Sequence, residues 1–105
     1  MLATTDIDSR LGEVKATTEA ALRASEADPG ASPVTVAVVR EFDTKAAKAG
    51  RHADDAVSAR DSVIELEQAG DSAKAAAAAD ASLGASAREA VEAAHLAICI
   101  LKTEV

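Results

Sequence analysis

Arg88, Glu92, His95 and Cys99 follow one another at steps of four, three and four residues. On a helix such steps bring all four onto one stripe. A carboxylate, an imidazole and a thiol in that arrangement can hold a metal, and Glu92 and His95, three apart, are the candidate ligands. His95 and Cys99, one turn apart, also offer an imidazole and a thiolate to a soft or borderline ion such as zinc or copper(I). Each of these residues has a purely structural use as well. Glu92 can pair with Arg88 one turn back, and Cys99, lying between Ile98 and Ile100, can serve as a small hydrophobe.

The Glu92-Ala93-Ala94-His95 spacing is similar to the Glu-x-x-His pairs of di-iron carboxylate bundles. A complete site of that kind needs two such pairs and two further glutamates. The other histidine, His52, has Ala49 three residues before it, so the chain carries one pair and only a symmetric dimer completes the set. Arg88 and His95, with six residues between them, resemble in spacing the Arg-x(4–6)-His signature of the HEPN ribonuclease families. That resemblance implies paired helices holding both side chains at a scissile phosphate across a dimer interface. It covers two residues of 105, with Glu89 where a polar residue usually follows the arginine.

Elsewhere, Arg51, His52, Asp54 and Asp55 mix signs, and Lys45, Lys48 and Arg51 form a short basic strip. Both read as a solvated face, because three cations on an acidic chain do not hold nucleic acid at physiological salt. The sequence has no nucleophile elbow, phosphate-binding glycine loop, paired-cysteine motif or His-Glu-x-x-His stretch. Catalysis by this chain alone is not expected, and no cofactor is implied.

Composition narrows the partners. The net charge of -7 repels phosphate backbones and anionic membranes, so neither nucleic acid nor membrane is expected and a basic partner suits better. With Phe42 the lone aromatic residue, stacking platforms for bases or sugars are missing. A single cysteine cannot close an intrachain disulfide, which fits a reducing compartment. Met1–Arg10 lacks the basic and apolar regions of a secretory signal, so the expected location is cytoplasmic.

The elements that position the stripe follow from periodicity. Ile7, Leu11, Val14, Thr18 and Ala21 form the seam of a helix over Thr5–Ala27. The segment Asp28-Pro29-Gly30-Ala31-Ser32-Pro33 must break the chain, and Ser32-Pro33 reads as the cap and first residue of a second helix. The valines at 34, 36, 38 and 39 have no partner strand, so they are read as helical. The seam Val39, Phe42, Ala46, Ala49, Ala53, Ala56, Val63 then carries this helix through Gly50 to Ala69, a break at Gly50 being the main alternative. Gly70-Asp71-Ser72 reads as a stop followed by caps. A third helix is predicted over Ser72–Lys102, with a turn at Gly84-Ala85 the alternative, since Ser86 and Glu89 have capping-box spacing. Gly30, Gly50 and Gly70 fall twenty apart, but their flanks share little and no repeat is expected.

The expected fold is thus all-α, a single helical domain over residues 1–105 built as an antiparallel three-helix bundle, or four or five shorter helices if Gly50 and Gly84 are breaks. Of the apolar residues 28 are alanine, so the core is thin. Helix one is also shorter than the other two, leaving apolar ends unpaired. Both features suggest a homodimer or higher oligomer. The leading functional expectation is a non-enzymatic interaction or assembly module, self-associating or binding a partner helix through apolar helix faces. The alternatives are a dimeric metal-binding or RNA-handling protein using Arg88, Glu92 and His95, and a chain that folds on binding a protein partner.

Overall fold

Four helices, and not three, make up the chain in a computed structural model that describes residues 2–51 and 55–105. They are α1 (Thr4–Ala27), α2 (Pro33–Arg51), α3 (Ala56–Ala79) and α4 (Ala85–Glu104). Each packs against its neighbours in the order α1–α2–α3–α4–α1, while the diagonal pair α1 and α3 barely touches. The result is an antiparallel four-helix bundle of 41 × 20 × 17 Å. Its length matches the roughly 36 Å of a 24-residue helix at 1.5 Å per residue.

The predicted first helix is present, and its seam of Ile7, Leu11, Val14, Thr18 and Ala21 is buried. The helix predicted over Pro33–Ala69 is two helices. Gly50 remains helical, and so does Arg51, the last described residue of α2. Asp55 restarts the chain in extended geometry (φ -142, ψ 168), its carboxylate accepting from the Ser58 N–H at 2.8 Å as an N-cap. His52, Ala53 and Asp54, which enter the predicted seam and the mixed-charge cluster, lie outside the described residues.

The stop predicted at Gly70-Asp71-Ser72 is instead the middle of α3. Gly70 is a packing glycine. A Cβ there would meet Phe42 Cζ at 3.0 Å and Ile98 Cγ2 at 3.2 Å, so its bareness admits the largest core side chain. The turn near Gly84 is real, with Gly84 and not Ser86 as the N-cap of α4. The predicted third helix is thereby split between α3 and α4. Among the described residues α1 is as long as α3 and longer than α2 and α4, so apolar ends overhanging a short first helix are not found.

Adding 52 to each residue number of α1 gives α3, and α2 maps likewise onto the start of α4. Burial follows the same shift. Ile7, Leu11, Val14, Thr18, Ala21 and Ser25 line the interior of α1, and Ala59, Val63, Leu66, Gly70, Ala73 and Ala77 that of α3. Thr35, Val39, Phe42, Ala46 and Ala49 of α2 correspond to Ala87, Val91, Ala94, Ile98 and Leu101 of α4. The bundle is therefore two helical hairpins of matching geometry. Large residues in one stand where the other has small ones: Phe42 against Ala94, Ala46 against Ile98, Ala49 against Leu101. Complementary volumes of this kind let a core rich in alanine close without voids.

Candidate functional site

The polar stripe of α4 lies along its border with α3. Core positions Val91, Ala94, Ile98 and Leu101 fix the rotation of α4, and Glu67, Asp71 and Lys74 lie on the facing border of α3. Three ion-pairing or hydrogen-bonding steps tie the two helices along this line. Lys102 Nζ meets Glu67 Oε2 at 3.1 Å at one end, His95 Nε2–H donates to Asp71 Oδ1 at 2.7 Å in the middle, and Arg88 reaches the last turn of α3 at the other.

The structure separates the four predicted residues. Arg88 serves as a cap: its guanidinium donates to the carbonyl oxygens of Ala77 (2.5 Å), Asp80 (2.9 Å) and Leu83 (3.3 Å), adding a second bond at Ala77 and Asp80, whose carbonyls also accept the Asp80 and Leu83 N–H groups. Among the described residues its hydrogen bonds go to backbone and not to Glu92. Glu92 is exposed and stands outside the cluster that His95 joins. Within the chain the potential ligands gathered around His95 are therefore Asp71 and Cys99, and Glu92, further round the helix, is not among them.

His95 instead gathers Cys99 and Asp71. Cys99 Sγ lies 3.5 Å from His95 Nε2 and 3.9 Å from Nδ1. One ligand atom from each of the three residues falls within 4.8 Å of the others. The His95 side chain is only 15 % exposed, Cys99 is half-buried and Asp71 is open to solvent. Burial, followed by the charges of Glu67 and Asp71, pushes the Cys99 thiol up from its ordinary value. The hydrogen bond from His95 holds the Asp71 carboxyl below the usual carboxylate range. Glu67, one turn before Asp71, has a side chain only 12 % exposed and is paired with Lys102. The i, i+4 pair of His95 and Cys99 is legible in the sequence. Asp71 is not, since it comes from another helix, in a segment that reads as a turn.

A different surface lies on the outer side of α4. Leu96 and Ile100, one turn apart, are 60 % and 44 % exposed and point away from the core, flanked by exposed Glu89 and Glu92. At the end of the bundle where the chain termini meet, an apolar cleft of about 370 Å³ is lined by Leu2, Ile7, Val57, Ile64 and Val105. Its polar lining residues are Arg60 and Asp61, adjacent in sequence. Among the described residues no helix is long and apolar enough to cross a membrane.

Comparison with known protein families, with curated proteins and with solved structures finds no match to this chain.

Proposed function

We propose that the chain is a non-enzymatic helical interaction module whose α4 outer face receives a partner helix. The observation that carries this reading is the pair Leu96 and Ile100. The buried stripe of α4, from Ala87 through Val91, Ala94 and Ile98 to Leu101, is complete without them. They therefore add apolar surface that the fold itself does not use. Glu89 and Glu92 beside them, on a chain of net charge -7, favour an amphipathic helix with an apolar i, i+4 stripe and basic flanks.

A second copy of the chain is the less favoured occupant. The like charges of two copies, each of net charge -7 and each bringing Glu89 and Glu92 to the face, oppose the approach, whereas a basic partner is attracted. The test is light scattering and calorimetry over a concentration series, with and without a designed peptide carrying leucines at i and i+4 between lysines. A chain monomeric alone, binding the peptide 1:1 with affinity that salt weakens and Leu96→Glu with Ile100→Glu removes, is the expected result. A tight homodimer that the same two substitutions disperse assigns the face to self-association instead. Absence of peptide binding refutes the reading.

A further inference from the structure

We propose that Asp71, His95 and Cys99 form a binding site for a borderline divalent transition metal, zinc by preference, bridging α3 and α4. The donors are one carboxylate oxygen, one imidazole nitrogen and one thiol sulfur, a mixture that suits zinc and disfavours calcium or magnesium, which take oxygen ligands. Three protein ligands with a solvent-facing Asp71 leave a fourth position for water or for Glu67.

Spacing supports the assignment. Zinc bonds of about 2.3 Å to sulfur and 2.0 Å to nitrogen, at a tetrahedral angle, place the two ligand atoms about 3.5 Å apart. Cys99 Sγ and His95 Nε2 are 3.5 Å apart. His95 Nε2 and Asp71 Oδ1, at 2.7 Å, have to open by roughly 0.6 Å to reach the corresponding separation. The Asp71 side chain is 59 % exposed, so the opening is toward solvent and not into the core. Binding replaces the Nε2 proton and the thiol proton with the metal.

The twin hairpin supplies an internal comparison. Fifty-two residues before Glu67, Asp71 and His95 stand Lys15, Glu19 and Asp43. There Lys15 Nζ lies between the two carboxylates, 2.6 Å from Glu19 Oε1 and 2.9 Å from Asp43 Oδ1, so a cation occupies the centre of the α1–α2 border. On the α3–α4 border the lysine is replaced by Glu67, Asp43 by His95 and Ala47 by Cys99. The central cation of one hairpin has become, in the other, a set of metal-ligating side chains. Lys102 approaches from the side and is held by Glu67.

The experiment is titration of the full chain with zinc in competition with a chromophoric chelator, followed by cobalt(II) substitution read by absorbance. One metal per chain and a thiolate-to-cobalt charge-transfer band are expected. Cys99→Ser, His95→Gln and Asp71→Asn should each weaken zinc at least about tenfold, the lower end of what even supporting groups around a metal contribute. Glu92→Gln, outside the cluster, should leave affinity unchanged, and circular dichroism of every variant separates lost ligands from lost fold. A cobalt complex without the thiolate band, variants within twofold of the parent, or preference for magnesium over zinc would overturn the assignment.

Discussion

Asp28 and Asp80 hold the same post in the two hairpins and each reaches into the other's loop. Asp28 Oδ1 accepts from Gly30 N–H at 2.8 Å within its own loop, and its Oδ2 accepts from Gly84 N–H at 2.6 Å across the bundle. Asp80 Oδ1 accepts from Ser82 N–H at 3.2 Å, and its Oδ2 from Ser32 N–H at 2.9 Å and the Thr35 hydroxyl at 2.8 Å. Both residues end a helix in extended geometry. The exchange locks the α1–α2 and α3–α4 turns together, and at Gly30 a side chain would collide with the Ser82 carbonyl. Asp28→Ala removes two bonds to a charged acceptor and should cost about 1.5–3 kcal/mol in denaturant unfolding. A loss below 0.5 kcal/mol, on the order of an ordinary surface change, would mean the exchange contributes little.

Lower pH attacks the same lock. The Asp80 carboxyl is held below its ordinary value of 3.8 by the Ser32 backbone N–H and then by the Thr35 hydroxyl. Asp55, bonded by Ser58, and Asp71, bonded by His95, are shifted the same way. A carboxyl whose folded pKa is depressed adds stability that is present above its unfolded pKa and lost as pH falls through the folded one. Thermal melts should therefore show the midpoint falling as pH drops below about 4. The fall should be shallower in Asp80→Asn, which starts without that stabilisation, and equal slopes in the two proteins would exclude Asp80 as a source.

Ser25 is fully buried on α1, and among the described residues its hydroxyl has no hydrogen-bond partner. The matching position on α3 is Ala77. Ser25→Ala removes an unsatisfied polar group at little change in volume, so it should stabilise the bundle by about 1 kcal/mol. Chemical denaturation of the two proteins decides it, and a destabilised variant would show that the hydroxyl is satisfied in solution.

Two glycines inside helices should answer oppositely to substitution. Nothing lies within 4 Å of a Cβ built on Gly12, so Gly12→Ala gains helix propensity of up to about 1 kcal/mol. Gly70 sits against Phe42 and Ile98, and Gly70→Val must displace them at a cost of about 1–3 kcal/mol for overpacking. Melting temperatures that rise for Gly70→Val would place Phe42 elsewhere.

For Arg88, lysine is not an equivalent. A single ammonium cannot span three carbonyls on the fork geometry that the guanidinium uses, so Arg88→Lys should lose about 1–2 kcal/mol of stability. Glu92→Gln, on the same helix but exposed, should lose nothing measurable in the same unfolding experiment.

Where the sequence was legible, the reason is periodicity within one helix. The seam of α1 and the Pro29–Pro33 break were read correctly because each depends on residues close in the chain. Gly70 misled because a glycine that stops a helix and one that makes room for Phe42 look the same until the partner helix is placed. The cap at Asp55 was lost inside a seam that ran on in phase through Ala49, Ala53 and Ala56. The hairpin repeat is hidden in the sequence because it keeps which positions are buried while exchanging what fills them, as at Phe42 and Ala94. The site was half legible: His95 and Cys99 share a helix, but Asp71 reaches them only through the packing of α3 on α4.

The two ends of the described chain lie side by side, Leu2 N–H donating to the Glu104 carbonyl at 3.0 Å and Arg10 paired with the Glu104 carboxylate. Tension applied between them would therefore peel α1 from α4 one contact at a time, starting from this corner, and would not have to slide whole helices past each other. A bundle arranged in this way yields to weak pulling at its ends even when it resists heat or denaturant.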